Sequence, residues 1–157
     1  MKSFIHQGMF VQSIYPEQHF DVIAAFQVFD HISQPNEFLR ACWVSLKPGG
    51  KLLLIMHDIG SLLACILGRN CPMIDIEHAF LYNKTTLKAL LTARGFNTTE
   101  IFSVGNRYPL KYWTKIMPAP SGFKKRVLGF LQKHSIGQVS LRFNVGNMGL
   151  IAVKAQQ

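Results

Sequence analysis

The 157 residues amount to one domain, and a typical fold of this length buries about 70% of the surface that its unfolded chain exposes. Apolar residues make up 48% and charged residues 16%, which excludes a disordered chain; three cysteines (Cys42, Cys65, Cys71) without a two-residue spacing disfavour a disulfide or zinc framework and suggest a reducing, cytoplasmic setting. The net charge of +9 is one-sided: residues 1–100 hold eight basic and eight acidic residues, whereas the nine basic residues from Arg107 to Lys154 face no acid. Such a tract attracts phosphates, anionic lipid, nucleic acid or a negatively charged substrate, unless it serves only solubility.

In chain order, Phe20–Phe26 is an apolar run of strand length that suits a sheet covered on both faces. Pro35 suits the first turn of a helix, with Ser33 or Gln34 as its cap. Phe38, Leu39, Cys42, Trp43 and Leu46 then recur at helical spacing over Asn36–Lys47. Lys47-Pro48-Gly49-Gly50 stops that helix and turns the chain into a second buried strand at Lys51–Met56. The stretch Leu52–Gly68 is too short for a membrane helix, which needs about 20 apolar residues, and His57-Asp58 and Gly60-Ser61 break it. A strand followed by a short helix at Ser61–Leu67 explains it better. A further helix runs from Lys84 to Arg94, capped by Asn83 and stopped by Gly95, and a strand follows at about Thr98–Val104. Asn106–Gly137 reads as a basic insertion that carries specificity. Beyond it, Val139, Leu141, Phe143 and Val145 alternate with polar residues, and Leu150–Val153 makes a final buried strand after Gly146-Asn147-Met148-Gly149. Alternating strands and helices argue for an open, mostly parallel α/β sheet with ligands at the carboxyl ends of its strands.

Several motifs then point one way: Phe20-Asp21-Val22-Ile23, Val28-Phe29-Asp30-His31, Leu46-Lys47-Pro48-Gly49-Gly50-Lys51, His78 before Phe80-Leu81-Tyr82, and Thr86-Leu87 through Gly95-Phe96. In order and spacing they resemble the later half of class I S-adenosylmethionine-dependent methyltransferases, nearest to the ubiquinone-type O-methyltransferases. The resemblance implies a Rossmann-like methyltransferase fold that lacks its first two strands. In the family sheet, ordered 3-2-1-4-5-7-6, the chain would enter at the third strand, Phe4–Val11, and leave the edge of the fourth bare. No Gly-x-Gly occurs in the sequence, so the loop that cradles the cofactor in this family is missing. The whole chain, 1–157, accordingly reads as a partial methyltransferase-like domain: truncated, a fragment encoded with an upstream half, or rearranged.

The resemblance also distributes roles. Phe26 and Gln27 fall where the family contacts the methionine part of S-adenosylmethionine, and Phe26 could equally be plain core. Asp30 and His31 match the family's acidic-histidine pair, His31 being placed to take a proton from a substrate hydroxyl; the alternative is a local helix-start pair. His57, Asp58, His78 and Tyr112 are the candidates for lining the acceptor pocket, beside capping or packing roles. Some relatives hold a divalent metal with an acid at the position of Gln27; this chain departs from that pattern, so no metal is expected. The leading function is methyl transfer to a small-molecule acceptor, anionic or lipid-like. The alternative is a non-catalytic module that docks on anionic lipid or a protein partner through its basic C-terminal third, peripheral to a membrane. Nucleic-acid binding is disfavoured for want of a motif, and the bare sheet edge invites a dimer.

Overall fold

The computed structural model describes residues 5–71, 73–117 and 119–155. Strand β1 is Phe20–Phe26, as its apolar run predicts, and it pairs in parallel with β2, Leu46–His57, from Val22 opposite Lys51 to Phe26 opposite Ile55. Helix α1, Pro35–Ser45, makes the crossover between them, with Pro35 in its first turn and Gln34 as an N-cap whose side chain makes no capping bond. Phe38, Leu39, Ala41 and Cys42 bury one face of this helix.

Three sequence expectations are corrected here. Helix α1 ends at Ser45 rather than Lys47, because Leu46 is already extended and opposite Phe20. Lys47–Gly50 is consequently not a turn before the strand but an irregularity inside it: the pairing jumps from Phe20/Leu46 to Val22/Lys51, and Gly49 absorbs the bend at a φ of 73°. Lys47 reaches Asp21 across this bulge at 2.8 Å, an exposed pair that holds the Asp21 carboxyl below its usual range and contributes little to stability. Second, β1 is not covered on both faces: Ala25 is its one buried residue, and Val22 and Phe26 are more than half exposed. It is an edge strand, in the order β1-β2-β4-β3, where β3 is Phe96–Pro109 and β4 is Ser140–Lys154. Third, Phe4–Val11 is no strand over its described residues 5–11, where no neighbouring strand takes up its backbone groups.

Helix α2 is Leu62–Leu67, started by Ser61 accepting from the Ala64 amide. Helix α3 is Lys84–Ala93, where Asn83 and Thr86 exchange a reciprocal pair of capping bonds and Gly95 ends the turn at a φ of 83°. Strands β3, Phe96–Pro109, and β4, Ser140–Lys154, are both longer than their apolar patterns. Gly146–Gly149 does not interrupt β4; Asn147, Met148 and Gly149 pair antiparallel with His57, Met56 and Ile55. The observed order is the 4-5-7-6 part of the sheet that the resemblance implies. Its core joins Leu52, Leu54 and Met56 of β2 with Met148 and Leu150 of β4, Leu39 of α1, and Leu87 and Leu91 of α3.

The chain forms two compact units, residues 1–104 with 146–157, and residues 105–145. In the second, α4 (Leu110–Ile116) and α5 (Ser121–Lys133) pack around Leu131 and Trp113, whose indole donates to the Leu141 carbonyl at 2.9 Å. The last basic residue of the acid-free tract does not belong to this unit. Lys154 is buried in the first, donates to the Leu46 carbonyl at 2.8 Å and lies 4.1 Å from the Trp43 ring centroid; burial holds its ammonium below the usual lysine range. Among the described residues no helix is long and apolar enough to cross a membrane.

Truncating the fully buried Leu54 to Ala should lower stability by about 2–5 kcal/mol in urea unfolding, through lost transfer energy and a residual cavity. Val22→Ala, on the exposed edge strand, should cost under about 1 kcal/mol.

Candidate active site

The carboxyl ends of β1 and β2 lie side by side, so whatever follows each strand is brought together. After β1 the chain makes a short 3-10 turn, Phe29–His31, which buries the Phe29 ring and the Asp30 carboxylate. Strand β2 ends at His57. The loop carrying Asp75, Glu77 and His78 closes the group, anchored by the Phe80 amide on the Asp30 carbonyl at 3.1 Å and by the Ile59 amide on the Tyr82 carbonyl at 2.9 Å.

Asp30 is the centre. Its Oδ2 stands 2.9 Å from Nδ1 of His57 and 3.7 Å from Nε2 of His78, and its Oδ1 is 3.9 Å from Nε2 of His31. Burial pushes the Asp30 carboxyl up, but the hydrogen bond from His57 and backbone donors outweigh it, so the group sits below the ordinary carboxylate range. His78 is turned by Asp75, 2.6 Å from its Nδ1, while its Nε2 faces His57 Nδ1 at 3.1 Å. The same bond draws the Asp75 carboxyl down against its partial desolvation. His31 is fixed by its Nδ1, 2.8 Å from the Glu77 carbonyl, and its ring stacks on that of His78 at 4.5 Å.

These contacts select one set of tautomers. A carbonyl and a carboxylate can only accept, so Nδ1 of His31 and of His78 carries the hydrogen; Nδ1 of His57, against Asp30, does the same and shares its proton between Asp30 and His78. The Nε2 lone pairs of His31 and His57, on side chains 37% and 29% exposed, are then the ones open to a ligand. Tyr82 is no second base: burial, and then the Asp30 charge, push its phenol up to about 12.

Of the residues singled out from sequence, Asp30, His31, His57 and His78 converge. Asp58 lies beside them but spends Oδ1 on the Gly60 amide at 2.9 Å, which shapes the turn before α2. Phe26 and Gln27 end β1, Phe26 being 57% exposed and Gln27 held at a φ of 52° with its amide on the Ile55 carbonyl. Tyr112 belongs to the second unit, where it packs on Tyr108 at 4.5 Å. The sequence reading missed Asp75, although its three-residue spacing from His78 was a usable signal. Asp30, His31 and His78 also present ligand atoms within 4.8 Å of one another, a carboxylate and two imidazoles of the kind that hold a transition metal, and Asp30 Oδ1 has no hydrogen-bond partner. A metal there would compete with His57 for His78 Nε2.

Residues 2–101 match a family model described as a methyltransferase domain. The chain belongs to this methyltransferase family. A ubiquinone biosynthesis O-methyltransferase from Caulobacter vibrioides is 52% identical over 31 residues, 20% of this chain and 12% of that protein. The chain thus spans only a small part of its curated relative. Among solved structures, a SAM-dependent methyltransferase from Thermotoga maritima is similar at a TM-score of 0.59 and 17% identity, over 96% of this chain and 64% of that one. The [4+2]-cyclase SpnF is similar at 0.55 and 20%, over 92% and 53%. Likeness at this level establishes the methyltransferase fold, and a cyclase on the same fold shows that the reaction must be argued from the site.

The Asp30 carboxyl has a lowered pKa in the folded state, so its contribution to stability is complete above the unfolded value of about 3.9 and disappears as pH falls through the folded one. Urea unfolding from pH 7 downward should show that loss in the native sequence. Asp30→Asn should be less stable by about 1.5–3 kcal/mol at pH 7 and show a flatter acid limb.

Proposed function

We propose that this methyltransferase-family chain supports S-adenosylmethionine-dependent methyl transfer to a small-molecule hydroxyl acceptor, with the Asp30-centred histidines as its proton-handling site. The observation that carries this reading is a buried carboxylate with one imidazole bonded to it and a second, half-exposed one at 3.9 Å with its lone pair free. The cofactor is supported by relatives described as SAM-dependent. Its fit here is partial: Phe26 and Gln27 offer an exposed seat at the end of β1, but the sequence has no Gly-x-Gly loop for the rest of the molecule.

When bound, the cofactor supplies an already activated methyl group, so the protein's task is to orient the acceptor and remove its proton. His31 does the second. Its Nδ1–H is spent on the Glu77 carbonyl, leaving Nε2 to receive a proton from an acceptor hydroxyl, and the imidazolium so formed faces Asp30 Oδ1. Asp30 therefore stabilises the charge without itself leaving the carboxylate form. His57, oriented by the other carboxylate oxygen, offers its Nε2 to orient the acceptor, and His78 braces both rings.

Calorimetric titration with S-adenosylmethionine followed by a methyl-transfer assay on phenolic acceptors tests the reading. His31→Gln should lower turnover by about 10²–10⁴-fold with cofactor affinity unchanged; turnover equal to that of the native sequence would contradict it. Absence of any cofactor binding by the chain would select the alternative, a non-catalytic module.

A further inference from the structure

The second unit, residues 105–145, holds eight lysines and arginines and no carboxylate side chain. Elsewhere an exposed lysine can meet a carboxylate, as Lys47 meets Asp21. Within this unit none can. Three of the lysines, moreover, converge: a cleft of about 470 Å³ between α4, α5 and the 3-10 turn Ser135–Gln138 is lined by Lys111, Lys115, Lys133 and His134 over a floor of Leu128 and Leu131. Lys111 and Lys115 are one helical turn apart on α4, so both ammonium groups reach the same opening. Like charges gathered without a counter-ion repel one another, and a bound anion relieves that repulsion.

The outer rim carries exposed apolar side chains, none of them among the residues that line the cleft. Phe130 is 56% exposed and its ring lies 4.6 Å from that of His134; Ile136, between two lining residues, is 51% exposed. Phe123, seven residues before Phe130 and so on the same side of α5, is also more than half exposed. Exposed aromatic and aliphatic side chains beside a cationic cleft match a headgroup phosphate, which sits just above the acyl chains. A soluble phosphate leaves the rim without purpose.

We propose that the α4–α5 cleft seats the phosphate of an anionic phospholipid at a membrane surface, Lys111, Lys115 and Lys133 taking the charge while Phe130, Ile136 and Phe123 enter the interface. This is independent of the methyl-transfer reading, since none of these residues belongs to the Asp30 site. The test is co-sedimentation of the full chain with phosphatidylcholine vesicles, with and without roughly a third phosphatidylglycerol. Binding is expected only to the anionic vesicles and should weaken as salt is added. The variant K111Q/K115Q/K133Q, altered at cleft-lining lysines, should bind on the order of a hundredfold more weakly, about a factor of five per lysine. F130S/I136S should also weaken vesicle binding while leaving retention on a phosphate-bearing resin unchanged. Equal pelleting with neutral and anionic vesicles, an unaffected triple variant, or a preference for single-stranded RNA over anionic vesicles would each overturn the proposal.

Discussion

A carboxylate withdrawn from water must be met by donors, and Asp30 is met chiefly by one imidazole. Because His57 ends β2 and Asp30 follows β1, the hydrogen bond between them exists only while those two strands run in parallel and in register. The bond then fixes the His57 ring, whose shared proton fixes His78, whose flat face supports His31. The orientation of the His57 ring thus descends from one buried charge and one strand pairing, and Asp75 and the Glu77 carbonyl complete that of His78 and His31. Crossover connection, sheet register and candidate chemistry form a single dependency.

This dependency explains the division of labour in the molecule. The hydrophobic core behind β2 and β4 holds the strand ends still, while the loop with Asp75, Glu77 and His78 closes over them through hydrogen bonds rather than through apolar burial. Sites placed at the carboxyl ends of parallel strands gain rigidity from the sheet and freedom from the loops. All residues of that constellation belong to the first unit; the unbalanced charge and exposed rings of the second give it a different kind of surface.

Much of this was legible in the sequence, for physical reasons. The apolar run Phe20–Phe26, the Pro35 start of α1 and the Asn83 cap of α3 each carry a local signal strong enough to survive tertiary context. The fold class and the choice of Asp30, His31, His57 and His78 as candidates came from the resemblance that the motifs carry; their meeting at one place is the work of the crossover, which brings the strand ends together. What escaped was non-local. The pairing of Leu46 with Phe20 draws Lys47–Gly50 into β2, where turn chemistry alone reads as a break, and pairing with His57 and Met56 carries β4 straight through Gly146–Gly149. Nor does composition tell that Lys154, one cation of a basic tract, lies buried against Trp43. Asp75 went unnoticed because a polar loop offers no periodicity by which to rank its residues.

The central claim is that Asp30 sets the protonation pattern of the histidines around it. Long-range proton–nitrogen NMR of the imidazole rings at neutral pH reads that pattern directly. The account predicts that neutral His57 carries its hydrogen on Nδ1 in the native chain and loses that preference in Asp30→Asn; an Nε2–H tautomer in the native chain, or an identical spectrum in the variant, would contradict it.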